Sequence, residues 1–199
     1  LLFKGGTSLS KGWNIIDRVS EDIDLALGRE FFLNERNLSC ARCTSNTQIH
    51  NFREKAQDYI FSEFKQDLKE QLSKLGLVVR VMAENEETDE AGEPRKVAHD
   101  KDPSVIFVHY PSLYNSDAPY AKPTVKIEIS VLSMDEPYEL KRISSLVEKV
   151  YKDEDVDSDI VQTIKTVSPA RTFLEKAFLL CEEYQKQDPR TYRMSRHFY

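Results

Sequence analysis

Long apolar runs are missing from this chain of 199 residues. No stretch approaches the roughly 20 consecutive apolar residues that cross a bilayer, and no charged start followed by an apolar run marks a secretory signal. These two absences predict a soluble, cytoplasmic protein with no membrane partner. Cysteine is scarce as well: Cys40, Cys43 and Cys181 make an odd count, which fits a reducing compartment better than a disulfide framework. Cys40 and Cys43 form a C-x-x-C pair, but no second such pair and no H-x-x-x-H pair follows to complete a zinc site, and the nearest histidine is His50. Zinc is therefore not assigned. An excess of basic charge is also lacking. With 28 Lys and Arg against 34 Asp and Glu, the net charge of −6 excludes a chain whose whole surface grips nucleic acid. Basic residues gather only near the end, where Arg190, Arg193 and Arg196 recur beside Lys186 and His197 at a spacing that shares one helix face.

What is present suffices for one compact core or for a core with a helical extension. Phe52, Ala56, Ile60, Phe64, Leu68 and Leu72 recur every fourth residue with charge between them, predicting a helix with one apolar stripe that Gly76 ends. Strands are predicted over 77–83, 105–109 and 124–132 from their β-branched alternation. Residues 84–103, dense in Glu and Asp with Gly92, Pro94 and Pro103, read as a loop or hairpin excursion. From Leu140 the period turns helical, with Ser168 as cap and Pro169 at the first position of a helix whose apolar face carries Phe173, Leu174, Ala177 and Leu180. The reading is an α+β protein with a core over 1–135 and a helical C-terminal part over 136–199. Both ends read as cut, since Leu1-Leu2-Phe3 opens without a Met and His197-Phe198-Tyr199 stops without a cap or breaker.

The chemistry concentrates at the start. Along a strand through Asp22-Ile23-Asp24-Leu25-Ala26-Leu27, Asp22 and Asp24 share one face while Ile23, Leu25 and Leu27 enter the core. Two like charges on one face repel, and a hard divalent cation, Mg²⁺ or Mn²⁺, resolves that conflict. A third carboxylate follows from Val125-Lys126-Ile127-Glu128-Ile129-Ser130-Val131, where the apolar residues form the core face and Glu128 joins Lys126 and Ser130 on the other. If the two strands are neighbours, Asp22, Asp24 and Glu128 form a metal-binding, catalytic cluster. Upstream, Gly5 and Gly6 allow a tight turn close to phosphate oxygens, and Thr7 and Ser8 offer hydroxyls and amides at a helix N-terminus. Lys11 and Arg18 flank the carboxylates as candidate phosphate contacts. Trp13, with Ile15 and Ile16, is read as packing the helix after the glycines against the sheet. No histidine has ligand spacing, and none is given a catalytic part.

Gly5-Gly6-Thr7, then Asp22-Ile23-Asp24, then a later strand bearing Glu128 resemble the signature of the polymerase-β-like nucleotidyltransferases. The fuller strings, Gly5 through Lys11 and Arg18 through Leu25, resemble the AbiEii toxin family in particular. Arg171-Thr172-Phe173-Leu174-Glu175-Lys176 resembles that family's lysine-bearing motif. Arg196-His197-Phe198-Tyr199 resembles a motif that continues into an aspartate, which would stand after Tyr199. The resemblance spans 1–28, 124–132 and 168–199. It implies a nucleotidyltransferase-type mixed or antiparallel sheet flanked by helices, with a triphosphate contact from Lys176. It further implies transfer of a nucleoside monophosphate from an NTP to a tRNA 3′ end or a protein hydroxyl, and a cognate antitoxin as partner.

Two other functions fit the same residues. A two-metal nuclease or phosphoesterase would use the carboxylates for hydrolysis, although phosphate-cradling glycines ahead of Asp22 favour transfer from a triphosphate. A degenerate module that binds a nucleotide without chemistry would not need all three carboxylates.

Overall fold

The computed structural model describes residues 1–17, 20, 22–36, 45–89, 91–112, 122–132, 137–145 and 162–189. In chain order its strands are β1 (Leu2–Lys4), β2 (Asp22–Ala26), β3 (Arg80–Ala83), β4 (Ser104–His109), β5 (Thr124–Ser130), β6 (Tyr138–Ile143) and β7 (Gln162–Val167). The α-helices are α1 (Gly5–Thr7), α2 (Arg29–Arg36), α3 (Asn46–Tyr59), α4 (Lys65–Lys74) and α5 (Pro169–Tyr184). The chain divides into two compact units, Leu1 with Glu21–Met134, and Leu2–Ser20 with Asp135–Tyr199. Strands and helices occur in both, as an α+β protein requires. Leu2–Ser20, read from the sequence as part of a 1–135 core, group with the second unit.

In the first unit the strands lie in the order β3-β4-β5-β2, with β5 and β2 parallel and the other two pairings antiparallel. The apolar side of β3, β4 and β5 presents Val81, Ile106, Val108, Ile127 and Ile129 to Phe32 of α2 and to Phe52, Ala56 and Ile60. Phe32 meets Phe52 edge-on at 5.3 Å and Tyr59 at 5.8 Å, the ring geometry that aromatic quadrupoles favour. Burying each such side chain stabilises the fold by about 1.5–3 kcal/mol relative to exposure. The every-fourth-residue stripe is therefore the helical wall of this core. Phe52, Ala56 and Ile60 are buried, and Phe64, Leu68 and Leu72 pack partly against it.

Local signals fix the ends of that wall. Ser45 Oγ accepts from the Gln48 amide, and the Gln48 side chain accepts from the Ser45 amide, a reciprocal cap on two orphan donors. A π-helical segment, Ile60–Phe64, joins α3 to α4. At the far end the Leu77 amide donates to Leu72 O at 3.1 Å and the Gly76 amide to Ser73 O at 2.9 Å, with Gly76 at φ +74. This is a Schellman closure, and it uses Leu77. The strand read as starting at residue 77 consequently starts at Arg80, leaving Val78 82% exposed. The excursion after β3 is a hairpin, with an antiparallel bridge between Thr88 and Pro94 and Asp89 Oδ1 accepting from the amides of Ala91 and Glu93.

The second unit has strand order β1-β7-β6, with β1 parallel and β6 antiparallel to β7. The helical period read from Leu140 onward describes α5 but not what precedes it: residues 138–143 and 162–167 are paired strands. The α5 start follows the sequence, with Ser168 Oγ accepting from the Arg171 amide and Pro169 in the first turn. Its apolar residues do not enter a core, since Phe173 is 69% and Phe178 67% exposed. Among the described residues no helix is long and apolar enough to cross a membrane.

Candidate active site

The carboxylates occupy the β2–β5 pair. The parallel register sets Asp22 beside Lys126 and Asp24 beside Glu128, while Ile23 and Leu25 pair with Ile127 and Ile129. Registered residues point to the same face, so one face carries Asp22, Asp24, Lys126 and Glu128 and the opposite face carries the aliphatic core. The sequence expectation that β2 and β5 are neighbours, and that Glu128 adjoins the Asp22–Asp24 pair, is met by this register. The side chains of Asp22, Lys126 and Glu128 are each about one third exposed or less, at 31, 35 and 26%. Ligands can reach them, yet they are partly withdrawn from water.

Three acids on one face need a positive charge, and Lys126 supplies it. Its Nζ donates to Glu128 Oε1 and lies 4.0 Å from Asp22 Oδ2. Burial alone would depress the lysine's pKa, but the hydrogen bond to Glu128 and the charges of Glu128, Asp22 and Asp24 outweigh it and raise the pKa above the ordinary lysine value. Sequence reading placed Lys126 on this face without giving it a role. The signal was its position two residues before Glu128, which on a strand means the same side.

The donor chemistry fits a magnesium-like ion: hard oxygens from adjacent strands, on a partly exposed face. Among the described residues, however, no three His, Cys, Asp or Glu side chains are already gathered to hold a metal. The two findings are compatible, because Mg²⁺ is commonly bound through one or two carboxylates with water and substrate phosphates completing its octahedron. Asp24 and Glu128, as registered neighbours, are the pair best placed to do so.

The glycine motif belongs to the second unit. Gly5 sits at φ +69, a left-handed conformation that costs a side-chain-bearing residue about 1 kcal/mol, and it turns β1 directly into α1 and a π-helical segment, Ser8–Gly12. Ser8 is fully buried and its Oγ donates to Gly5 O at 2.8 Å. The hydroxyl read as a phosphate donor is thus turned inward, where it braces the turn. Thr7 and Lys11 remain partly exposed, and Gly6 is buried. Trp13 follows its sequence reading, its Nε1 donating to Val167 O of β7 at 2.8 Å with Lys141 Nζ 3.7 Å from the ring centroid, but Ile15, read as packing with it, is 57% exposed. Gly12 lies close to the same strand: a Cβ there would stand 3.1 Å from Thr166 Cγ2, which would have to give by a few tenths of an ångström.

Lys176 is half-buried on α5 of the same unit. One residue before it, Glu175 accepts from Arg171 Nε at 3.0 Å and lies 3.9 Å from Lys4 Nζ. The acid next to Lys176 is therefore occupied by two other cations. Arg18, the Cys40–Cys43 pair and the basic run from Arg190 to Tyr199 lie outside the described residues.

Comparison with known proteins agrees with the motif pattern. The family profile described as nucleotidyl transferase AbiEii toxin, type IV toxin–antitoxin system, matches residues 1–199. No curated protein matches the chain. Among solved structures the chain is similar to MenT4, a nucleotidyltransferase toxin from Mycobacterium tuberculosis, with 16% identity and a TM-score of 0.39. That match covers 88% of this chain and 43% of the MenT4 chain, so the sequence spans less than half the length of the solved protein.

Proposed function

Since the chain belongs to the AbiEii family of nucleotidyltransferase toxins of type IV toxin–antitoxin systems, we propose that it transfers a nucleoside monophosphate from an NTP to an RNA or protein acceptor. The observation that carries this reading is the β2–β5 register, which sets Asp24 beside Glu128 with Asp22 on the same face. In the reaction an acceptor hydroxyl, a tRNA 3′ end or a protein hydroxyl, attacks the α-phosphorus. The new O–P bond forms as the bond to the β-phosphate oxygen breaks, the hydroxyl proton passes to solvent, and pyrophosphate leaves.

Asp24 and Glu128, with Asp22, would hold Mg²⁺ or Mn²⁺. A divalent ion there supplies charge neutralisation of the phosphates and a lowered pKa for the attacking hydroxyl. The protein's own task is positioning. The turn from Gly5 to Thr7 offers backbone amides and the Thr7 hydroxyl to the triphosphate, with the buried Ser8 holding its shape. Lys11, Arg18 and Lys176 are assigned to phosphate contacts, Lys176 as a point charge that follows the developing charge on pyrophosphate. A cognate antitoxin is the expected protein partner, and the cytoplasm the expected site of action.

The test uses the full gene product with Mg²⁺, each labelled NTP in turn, and total cellular RNA and protein. Release of pyrophosphate with label fixed in one acceptor supports transfer and identifies both nucleotide and acceptor. Free phosphate or shortened RNA instead would make the carboxylates hydrolytic and overturn it.

A further inference from the structure

A lysine ion-paired with two of the three carboxylates stands on the face where a divalent cation would have to act. Lys126 donates to Glu128 Oε1 and approaches Asp22 Oδ2 to 4.0 Å, and in the register it sits beside Asp22 exactly one pleat before the Asp24–Glu128 pair. A carboxylate oxygen that accepts from an ammonium has its lone pair directed at that donor and offers less to a metal. A divalent ion and an ammonium near one acid also repel each other, by a factor of about thirty in affinity at 4 Å at the dielectric of water and by less once salt screens them. Across β4 the partners of Lys126 and Glu128 are Phe107 and Val105, neither of which carries charge.

We propose that Lys126 is a resident counter-ion of the carboxylate face that competes with the divalent cation for Glu128 and must release it before the metal is held by Asp24 and Glu128 together. The inference rests on the metal-site reading above and gives that site a regulator of occupancy. Lys126 keeps the acids compatible with folding when no metal is held, and it raises the metal concentration at which the site fills. It is a positioning residue, acting on substrate only through the acid it holds.

The roles separate by sign. If Lys126 merely stabilises the strands, neutralising it loosens the site and metal binding weakens. If it competes, neutralising it strengthens metal binding. The experiment measures Mn²⁺ binding alone, by electron paramagnetic resonance of the free ion, on the full chain at one pH and ionic strength, with folding checked by circular dichroism. Lys126→Met is expected to bind Mn²⁺ at least about five-fold more tightly than the unchanged protein. Lys126→Arg, which keeps the charge, is expected to stay within about two-fold of it. Lys126→Gln serves as the neutral variant should the Met variant not fold. Equal or weaker binding by the neutral variant, with binding still lost in Asp24→Asn, would overturn the inference and leave the metal site standing. Absence of Mn²⁺ binding in both the unchanged protein and the neutral variant would overturn the metal-site reading and this inference with it.

Discussion

At the residue scale, the strand pair β2–β5 separates chemistry from stability. Asp24 points away from the aliphatic cluster that Ile127 and Ile129 complete, so Asp24→Asn removes the proposed metal ligand without removing core contacts. Losing such a ligand forfeits several kcal/mol of transition-state stabilisation, and transfer of label to the acceptor is expected to fall by about 100-fold or more. The melting temperature is expected to change little, because one of several like charges is gone. Full transfer by Asp24→Asn would show that the acid is a surface residue of the sheet. For Lys176→Ala the expected outcome is weaker triphosphate binding with Mn²⁺ binding kept, read by titration calorimetry. The two acids and Glu128 were legible in the sequence because alternation on a strand is a rule of geometry. The work of Lys126 was not, because its bond to Glu128 depends on rotamer and its approach to Asp22 on register. Ser8 was misread for a related reason: a hydroxyl after two glycines looks available until the turn is built and folds it onto Gly5 O.

At the element scale, the helical wall Asn46–Lys74 was legible because stripe and stop agree along the sequence, while the Ser45 cap emerged only from the structure. Each end is separately testable. Gly76 has open space around its Cα, so Gly76→Ala tests φ +74 alone and is expected to cost about 1 kcal/mol in urea unfolding. Ser45→Ala removes the reciprocal cap and is expected to cost a similar amount, about 1 kcal/mol. No loss from either would mean that tertiary packing, not end chemistry, sets these boundaries. β6 and β7 escaped the sequence reading because they bury little: the residues of β6 are exposed or half-buried, and in β7 only Thr166 and Val167 are buried. A strand without a buried face lacks the alternation by which strands are recognised. What holds them is the ladder between them, from Tyr138 opposite Val167 to Ile143 opposite Gln162.

At the scale of the whole molecule, acid and base act on stability through two lysine–carboxylate contacts of the first unit. Glu86 accepts from Lys65 Nζ and from the Ala83 amide, tying α4 to the end of β3. Burial pushes its pKa up, but these two bonds and the Lys65 charge push it further down, to a net value below the ordinary 4.5. A depressed carboxylate stabilises the fold above its unfolded pKa and loses that contribution as pH falls through the folded value. Lys126 has the opposite sign: with its pKa raised above the ordinary 10.5, it stabilises below that pH, and the contribution is lost as pH rises past it. These two contacts therefore contribute constantly between these limits and less on both sides. Glu86→Gln separates the acid arm. The carboxylate is 43% exposed, so solvent screening limits the contact to about 0.5 kcal/mol. The variant is accordingly expected to melt slightly below the unchanged protein near neutral pH, with the gap closing once the pH drops below the folded pKa of Glu86. A gap that stays constant down to acid pH would mean that the substitution costs stability independently of the carboxylate charge, because a glutamine oxygen can still accept from the Ala83 amide, and that the charge of Lys65 contributes nothing measurable.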